Sequence, residues 1–321
     1  MKISFLRLLL LGIIGVSSVS AQQSAVYTHE LVDFNKALNL YKNNQYQSAQ
    51  VLFGKLKSEH PNKEVKAECA YYMTSCAIRL NHSNAEMLME DFLNAYPENA
   101  NSNQMFADAA TYYFAQGQYA NALKWFEKTD EAAAIQINRD QFYFEKGYCY
   151  FMAKNELQAE KYFNRTLTSK KYGSKSKYYL GYMAYKKDDY TTARKYLEYA
   201  STDEEYKEKV DYLLADIYFN LKEFDKAIEV GLKQLDKSKP NEKSEVSKII
   251  GESYFNLEEY EKSIPYLEGY SAKFNKWSNT DYYQLGYAYY KTKNYEKAIS
   301  QFNQIIDEKN AVTQNAYYQL G

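Results

Sequence analysis

Apolar residues recur along most of the chain at spacings of three and four, the pattern of helices that bury one face. Short polar segments interrupt this pattern, such as KNNQ at 42–45, KKDD at 186–189 and KTKN at 291–294, and such segments favour turns. Only 4 prolines occur among the 321 residues, which suits a mostly helical chain. The pattern therefore predicts an all-α protein of helices joined by short turns.

A small residue returns at a nearly constant interval over most of the chain. It stands at Ala49, Ala85, Ala122, Ala159, Ala193, Ala227, Ser263 and Ala298. The successive gaps are 36, 37, 37, 34, 34, 36 and 35 residues. A period of this length indicates repeated helical hairpins, none of which can bury its apolar face alone. We therefore expect about eight hairpins stacked into a solenoid.

Other residues repeat in register with the small one. The clearest copy, residues 282–306, carries Leu285, Gly286, Tyr289, Tyr295, Ala298 and Phe302 in that order. This order resembles the tetratricopeptide repeat family over roughly residues 31–321. The resemblance implies a right-handed superhelical solenoid of stacked helix-turn-helix hairpins, in which the first helices line a concave face. Tight crossings would use the small residues, and aromatic rings would fill the space between hairpins.

Some copies depart from the family's pattern. Gly231 replaces the usual large residue late in its second helix, and only Pro61 and Pro97 occupy the position of the family's terminal proline. Pro240 falls one residue late, which we interpret as a longer or irregular connection. Thr202 followed by Glu205 has the spacing of a capping box and predicts that a helix opens there.

The first 21 residues have the pattern of a secretion signal. Lys2 and Arg7 flank the apolar segment 8–16, and Val19 with Ala21 fits cleavage before Gln22. A membrane anchor is the alternative, but the apolar run is shorter than the ~20 residues that span a bilayer. We therefore expect a cleaved signal peptide at 1–21 and a periplasmic or secreted mature chain, residues 22–321. No later segment is expected to span a membrane.

A ninth copy of the repeat begins at residues 315–321, where Leu320 and Gly321 stand 35 residues after Leu285 and Gly286. An uncapped solenoid exposes an apolar end. The sequence therefore predicts an N-terminal fragment of a longer protein, followed by more repeats, a catalytic domain or an outer-membrane barrel.

Charge and composition exclude several function classes. The 40 basic and 41 acidic residues are balanced, and no basic patch of the kind that binds nucleic acid is evident. The histidines, His29, His60 and His82, do not have metal-ligand spacing. No phosphate loop, nucleophile elbow or metalloprotease helix occurs. We therefore expect no enzyme activity, cofactor or metal.

The three cysteines do not suggest a disulfide framework. They are Cys69, Cys76 and Cys149, an odd number, and the first two lie seven residues apart on one predicted helix. That spacing is a rise of about 10 Å, too far for a disulfide. We expect all three to be small core residues, with pairing of Cys149 to a distant cysteine or a partner as the alternative.

The chemistry that stands out is aromatic, with 36 tyrosines in the chain. Aromatic residues at i, i+4 and i+7 form stripes on three first helices: Phe144, Tyr148 and Phe151; Tyr178, Tyr182 and Tyr185; Tyr283, Tyr287 and Tyr290. Partial versions are Tyr212 with Phe219, and Phe255. This spacing places each stripe on one helix face, away from the face that carries Gly147, Gly181 and Gly286.

Two interpretations of the stripes remain open. The rings either pack between hairpins or line a groove for a partner, for which tyrosine is well suited. We expect a non-catalytic scaffold of the cell envelope that binds protein or peptide segments in a concave aromatic groove. The alternatives are a glycan-binding or polysaccharide-export scaffold with a downstream outer-membrane barrel, and a regulatory arm of an enzyme whose catalytic domain lies beyond residue 321.

Overall fold

The structure is a computed structural model that describes residues 31–270, 277–306 and 310–320. Over these residues it contains seventeen α-helices and no β-strand. The chain divides into two compact units, the first ending at Ala159 and the second beginning at Glu160. The predicted all-α fold of repeated helical hairpins is confirmed. The proposed signal peptide lies outside the described residues.

Consecutive helices pair into hairpins within each unit. The first unit contains α1 Val32–Lys42, α2 Tyr46–Glu59, α3 Lys63–Arg79, α4 Ala85–Ala95, α5 Asn101–Ala115, α6 Tyr119–Lys128 and α7 Glu131–Met152. The second begins within α8 Glu156–Asn164 and continues with α9 Gly173–Tyr185, α10 Tyr190–Ala200, α11 Lys207–Asn220, α12 Phe224–Leu235, α13 Pro240–Asn256, α14 Tyr260–Glu268, α15 Asn279–Lys291, α16 Tyr295–Phe302 and α17 Ala311–Leu320.

Every hairpin turn contains one residue in the left-handed backbone region. These residues are Asn44, Asn81, Gly117, Lys154, Asp188, Lys222, Glu258 and Lys293, with φ between 53° and 73°. In the α9–α10 turn, Asp188 N–H donates to Tyr185 O and Asp189 N–H to Ala184 O, both at 3.0 Å. This Schellman arrangement satisfies carbonyls that the helix end would otherwise leave unpaired. The left-handed residue thus ends the first helix and reverses the chain.

The small residues lie where the two helices of a hairpin cross. Ala49, Ala122 and Ala193 are fully buried. A Cβ added to Gly181 of α9 would lie 2.6 Å from Leu197 Cγ of α10, and one added to Gly286 of α15 would lie 2.8 Å from Phe302 Cε1 of α16. Since real Cβ contacts are not this short, the glycines are what allow these helices to approach.

Two helix starts differ from the regular repeat. The Thr202 and Glu205 capping box is wrong: α11 begins only at Lys207, and Thr202 Oγ1 donates instead to Tyr199 O at 2.8 Å. Helix α7 is interrupted at Asn138, whose φ of −153° is not helical. The Asn138 Oδ1 accepts from Gln141 N–H at 3.3 Å, so Asn138 acts as the N-cap of the following segment.

The three cysteines are buried and not disulfide-bonded, in agreement with the interpretation as small core residues. Cys69 and Cys76 both lie on α3, as predicted. Burial raises the pKa of the Cys76 thiol to about 12 and that of Cys149 to about 12. Neither thiol is therefore a nucleophile near neutral pH. No helix in the described parts of the chain is long and apolar enough to cross a membrane.

Candidate functional site

The stripe on α9 lies against the next first helix, α11. Tyr178, Tyr182 and Tyr185 are all half-buried and pack on the core of the second unit. The rings of Tyr178 and Tyr182 stack with centroids 6.5 Å apart. The Tyr185 hydroxyl donates to Asp216 Oδ2 at 2.7 Å, and burial together with this bond raises the pKa of Tyr185. The stripe is therefore held in place while part of each ring stays exposed.

The stripe on α15 has the same construction. The three tyrosines, Tyr283, Tyr287 and Tyr290, are half-buried. Tyr287 stacks on Tyr283 with centroids 5.8 Å apart and meets the edges of Phe255 on α13 and Tyr260 on α14, each at 5.8 Å. Aromatic pairs at these distances and angles are favourable, so they link α13, α14 and α15 in one ring cluster.

The stripe on α7 belongs to the first unit and is more buried. Phe144 is only 6% exposed, whereas Tyr148 and Phe151 are half-buried. Tyr148 meets Phe114 of α5 at 5.6 Å and Tyr119 of α6 at 5.0 Å. Phe144 is therefore a core residue, and its predicted role in contacting a partner is not supported by its burial.

Between the two tyrosine stripes of the second unit, the first helices carry a mixture of aromatic and charged residues. Tyr212 and Phe219 on α11 are half-buried and flank Asp216, which occupies the register of Tyr182. Glu252 on α13 occupies the same register. Sequence reasoning missed these carboxylates, although their 34- and 70-residue offsets from Tyr182 match the repeat period.

The charges on this face are partly paired. Lys248 Nζ of α13 lies 2.6 Å from Asp281 Oδ1 of α15 and 3.9 Å from Glu252 Oε1. Burial raises the pKa of Glu252 even though Lys248 lies beside it. Burial also opposes ionisation of Asp281, but hydrogen bonds from Lys248 and Ser278 outweigh it and lower the pKa of this carboxyl. The face is thus aromatic at both ends and carries a mixture of aromatic and partly paired charged residues in its centre.

A different set of tyrosines joins successive hairpins. Tyr150 donates to Glu127 Oε1 at 3.2 Å and Tyr218 to Glu198 Oε1 at 2.8 Å. Tyr289 donates to Glu268 in the same way. In each pair the carboxylate lies late in the second helix of the preceding hairpin. These tyrosines therefore connect hairpins through their hydroxyls and are distinct from the stripes.

Within 31–270, 277–306 and 310–320, no group of three or more His, Cys, Asp or Glu side chains could hold a metal ion. Burial is the main cause that raises the pKa of tyrosines such as Tyr41, Tyr185 and Tyr218, and it keeps these phenols neutral. What the arrangement supplies is a set of fixed aromatic and carboxylate groups suited to binding.

The repeat can now be assigned to a family. Family models of the tetratricopeptide repeat match residues 32–63, 212–239 and 282–308. The matched segments correspond to the hairpins α1–α2, α11–α12 and α15–α16, and the intervening hairpins repeat their left-handed turn and small residue. The matched segments are therefore tetratricopeptide repeats. Repeats of this family generally bind proteins, which supports a role as an interaction scaffold.

No curated protein sequence matches the chain. Among solved structures, MamA of strain AMB-1 is similar with 20% identity, over 53% of this chain and 91% of MamA, with a TM-score of 0.47. PilF of Pseudomonas aeruginosa is similar with 17% identity, over 67% of this chain and 95% of its own, with a TM-score of 0.46.

Proposed function

We propose that this chain is a non-catalytic scaffold of the cell envelope that binds segments of partner proteins on the tyrosine stripes of α9 and α15. The observation that carries the proposal is that these six tyrosines are half-buried and yet already fixed by contacts within the chain. Tyrosine offers apolar area and a hydroxyl with few torsions to restrict. A surface whose side chains are ordered beforehand loses less entropy when a partner binds.

The envelope location rests on the sequence pattern of residues 1–21. Cell fractionation with a C-terminal epitope tag tests it, and mass spectrometry of the exported chain should find Gln22 as the first residue. Recovery of the intact chain from the cytoplasm alone would contradict this part of the proposal.

The binding surface is tested by affinity capture from envelope extract of the source organism, with residues 22–321 as bait. A second bait carries Tyr178→Ser, Tyr182→Ser and Tyr185→Ser, and a third carries the single change Tyr182→Ser in case the triple variant folds poorly. The control bait carries Tyr199→Ser, because this side chain is 52% exposed and lies on the second helix α10, off the stripes. Circular dichroism first shows that each bait folds.

We expect a defined set of proteins to be retained by the unchanged and control baits and lost from the stripe variants. Retention of the same proteins by every folded bait would place recognition elsewhere and refute the role of the stripe. Retention of glycans instead of proteins, lost with the same tyrosines, would favour a glycan-binding scaffold.

A further inference from the structure

The first unit contains a pocket, lined by both charged and apolar residues, that the tyrosine stripes do not explain. Its volume is about 330 Å³, and it is lined by Arg79 of α3, by Gln104, Ala107, Asp108, Thr111, Tyr112 and Ala115 of α5, and by Ala134, Asn138, Gln141 and Phe142 of α7. A pocket of this size is at the lower end of those that hold small ligands.

Small side chains of α5 create the space. Ala107 and Thr111 stand 37 residues before Phe144 and Tyr148, so they occupy the register in which α7 carries two stripe residues. The kink at Asn138 contributes the opposite side, because it sets the first turns of α7 apart from the rest of that helix. The cavity therefore lies at a position where the aromatic stripe is missing.

Arg79 provides a fixed cation at the pocket. Its Nη1 donates to Ser75 Oγ at 2.7 Å, and the guanidinium lies over the rings of Tyr41 and Tyr46 at 5.1 and 5.7 Å. Such cation–π contacts hold an arginine while leaving its other N–H groups available. Arg79 forms no ion pair with a carboxylate in the described part of the chain.

Asp108 provides a fixed anion in the same pocket. Its carboxylate accepts from the Tyr71 hydroxyl at 2.7 Å and from Gln104 Nε2 at 2.7 Å. These two bonds orient the group without neutralising it. Asp108 also has no ion-pair partner among the residues that the structure describes, so the pocket contains one cation and one anion that are not paired with each other.

We propose that this pocket binds a small zwitterion, an α-amino acid or a short peptide whose charged ends lie close together. A ligand with a carboxylate alone would be attracted by Arg79 and repelled by Asp108. A ligand with an amine alone would be attracted by Asp108 and repelled by Arg79. Only a ligand with both charges complements both groups. The alanines with Tyr112 and Phe142 form an apolar wall that suits an aliphatic or aromatic side chain.

The test is isothermal titration calorimetry of the chain with L-alanine, L-leucine and L-phenylalanine, each supplied singly. Propionate and propylamine serve as single-charge probes, and the dipeptide Ala-Leu distinguishes a peptide from a free amino acid. We expect at least one zwitterion to bind with a dissociation constant roughly in the micromolar to millimolar range, as ligands of so few atoms do. Neither single-charge probe should bind at the same concentrations.

Three variants locate the binding. Arg79→Gln and Asp108→Asn should each weaken it by about tenfold or more. Ala107→Tyr should abolish it by filling the pocket, and it should fold because large aromatic residues occupy this register in α7 and α9. Tyr182→Ser, which alters the proposed protein-binding stripe, should bind the zwitterion normally, so the two proposals fail separately. Absence of zwitterion binding, equal binding of propionate, or unchanged binding in Ala107→Tyr would overturn the inference.

Discussion

The left-handed residue in each hairpin turn makes a quantitative prediction about stability. Lys154, Lys222 and Lys293 have φ of 59°, 61° and 63°, a region that costs a residue with a Cβ ~1–2 kcal/mol. Replacement by glycine removes this cost but adds freedom to the unfolded chain worth ~0.5–1 kcal/mol. Each change to glycine should therefore stabilise the protein by about 0.5–1 kcal/mol. Because the three turns lie in different hairpins, the triple variant should gain about 1.5–3 kcal/mol.

Urea unfolding followed by far-ultraviolet circular dichroism measures this gain as a higher midpoint at an unchanged slope. Single variants are measured beside the triple one, because a repeat array does not always unfold in one step. The matched control is Gly117→Ala, whose φ is 73° and whose added Cβ would meet no atom within contact distance. It tests the backbone alone and, by the same two opposing effects, should cost about 0.5–1 kcal/mol. A triple variant less stable than the parent, or a neutral Gly117→Ala, would refute the reasoning.

Three further predictions concern packing, the links between hairpins and alkaline pH. Ala193→Leu should overpack the fully buried crossing of α9 and α10 and cost ~1–3 kcal/mol in urea unfolding; a neutral change would argue against that close crossing. Tyr218→Phe removes the hydrogen bond to Glu198 and should cost ~0.5–1 kcal/mol, with no further loss when Glu198→Gln is added; additive losses in the double variant would contradict the pairing. Burial raises the pKa of Tyr41 and Tyr150 from 10.0 to about 12, so the folded state holds protons that the unfolded state releases. The urea midpoint should therefore be steady below pH 10 and fall between pH 10 and 12, and an increase over that interval would contradict the direction of the shifts.

Much of the fold follows from the period of the sequence. The spacing of the small residues located the hairpin crossings, and polar segments such as KKDD at 186–189 located the turns. The left-handed residue itself was not predictable, since most of the turns use lysine, asparagine or an acidic residue where glycine is favoured. The kink at Asn138 was not predictable either, because no proline or glycine stands at that position. The capping box predicted at Thr202 was wrong because the Thr202 hydroxyl donates to the Tyr199 carbonyl, which is a local alternative to capping a helix.

Features of the site that depend on contacts between residues far apart in the sequence could not be predicted from it. Helical spacing placed Tyr178, Tyr182 and Tyr185 on one face, but their half-burial depends on contacts with α11. Gly231 departs from the family's pattern, which has a large residue at this position. A Cβ at Gly231 would lie 2.7 Å from Ile250 Cγ1, so the Ile250 side chain of the next hairpin fills the space that the usual large residue would occupy. Likewise, Arg79 and Asp108 line one pocket although 29 residues separate them.

The repeat separates residues that build the hairpin from residues that lie on the stripe face. Small residues and left-handed turns recur in every hairpin, because crossing and reversal of the chain require them. The positions of the stripe face carry no such requirement: α9 has Tyr182 where α5 has Thr111 and α11 has Asp216. Each hairpin can therefore present different chemistry at nearly constant stability. It follows that Ala107→Tyr should change what the first unit binds far more than how stably it folds, and a large loss of stability in that variant would show that the two sets of residues are not independent.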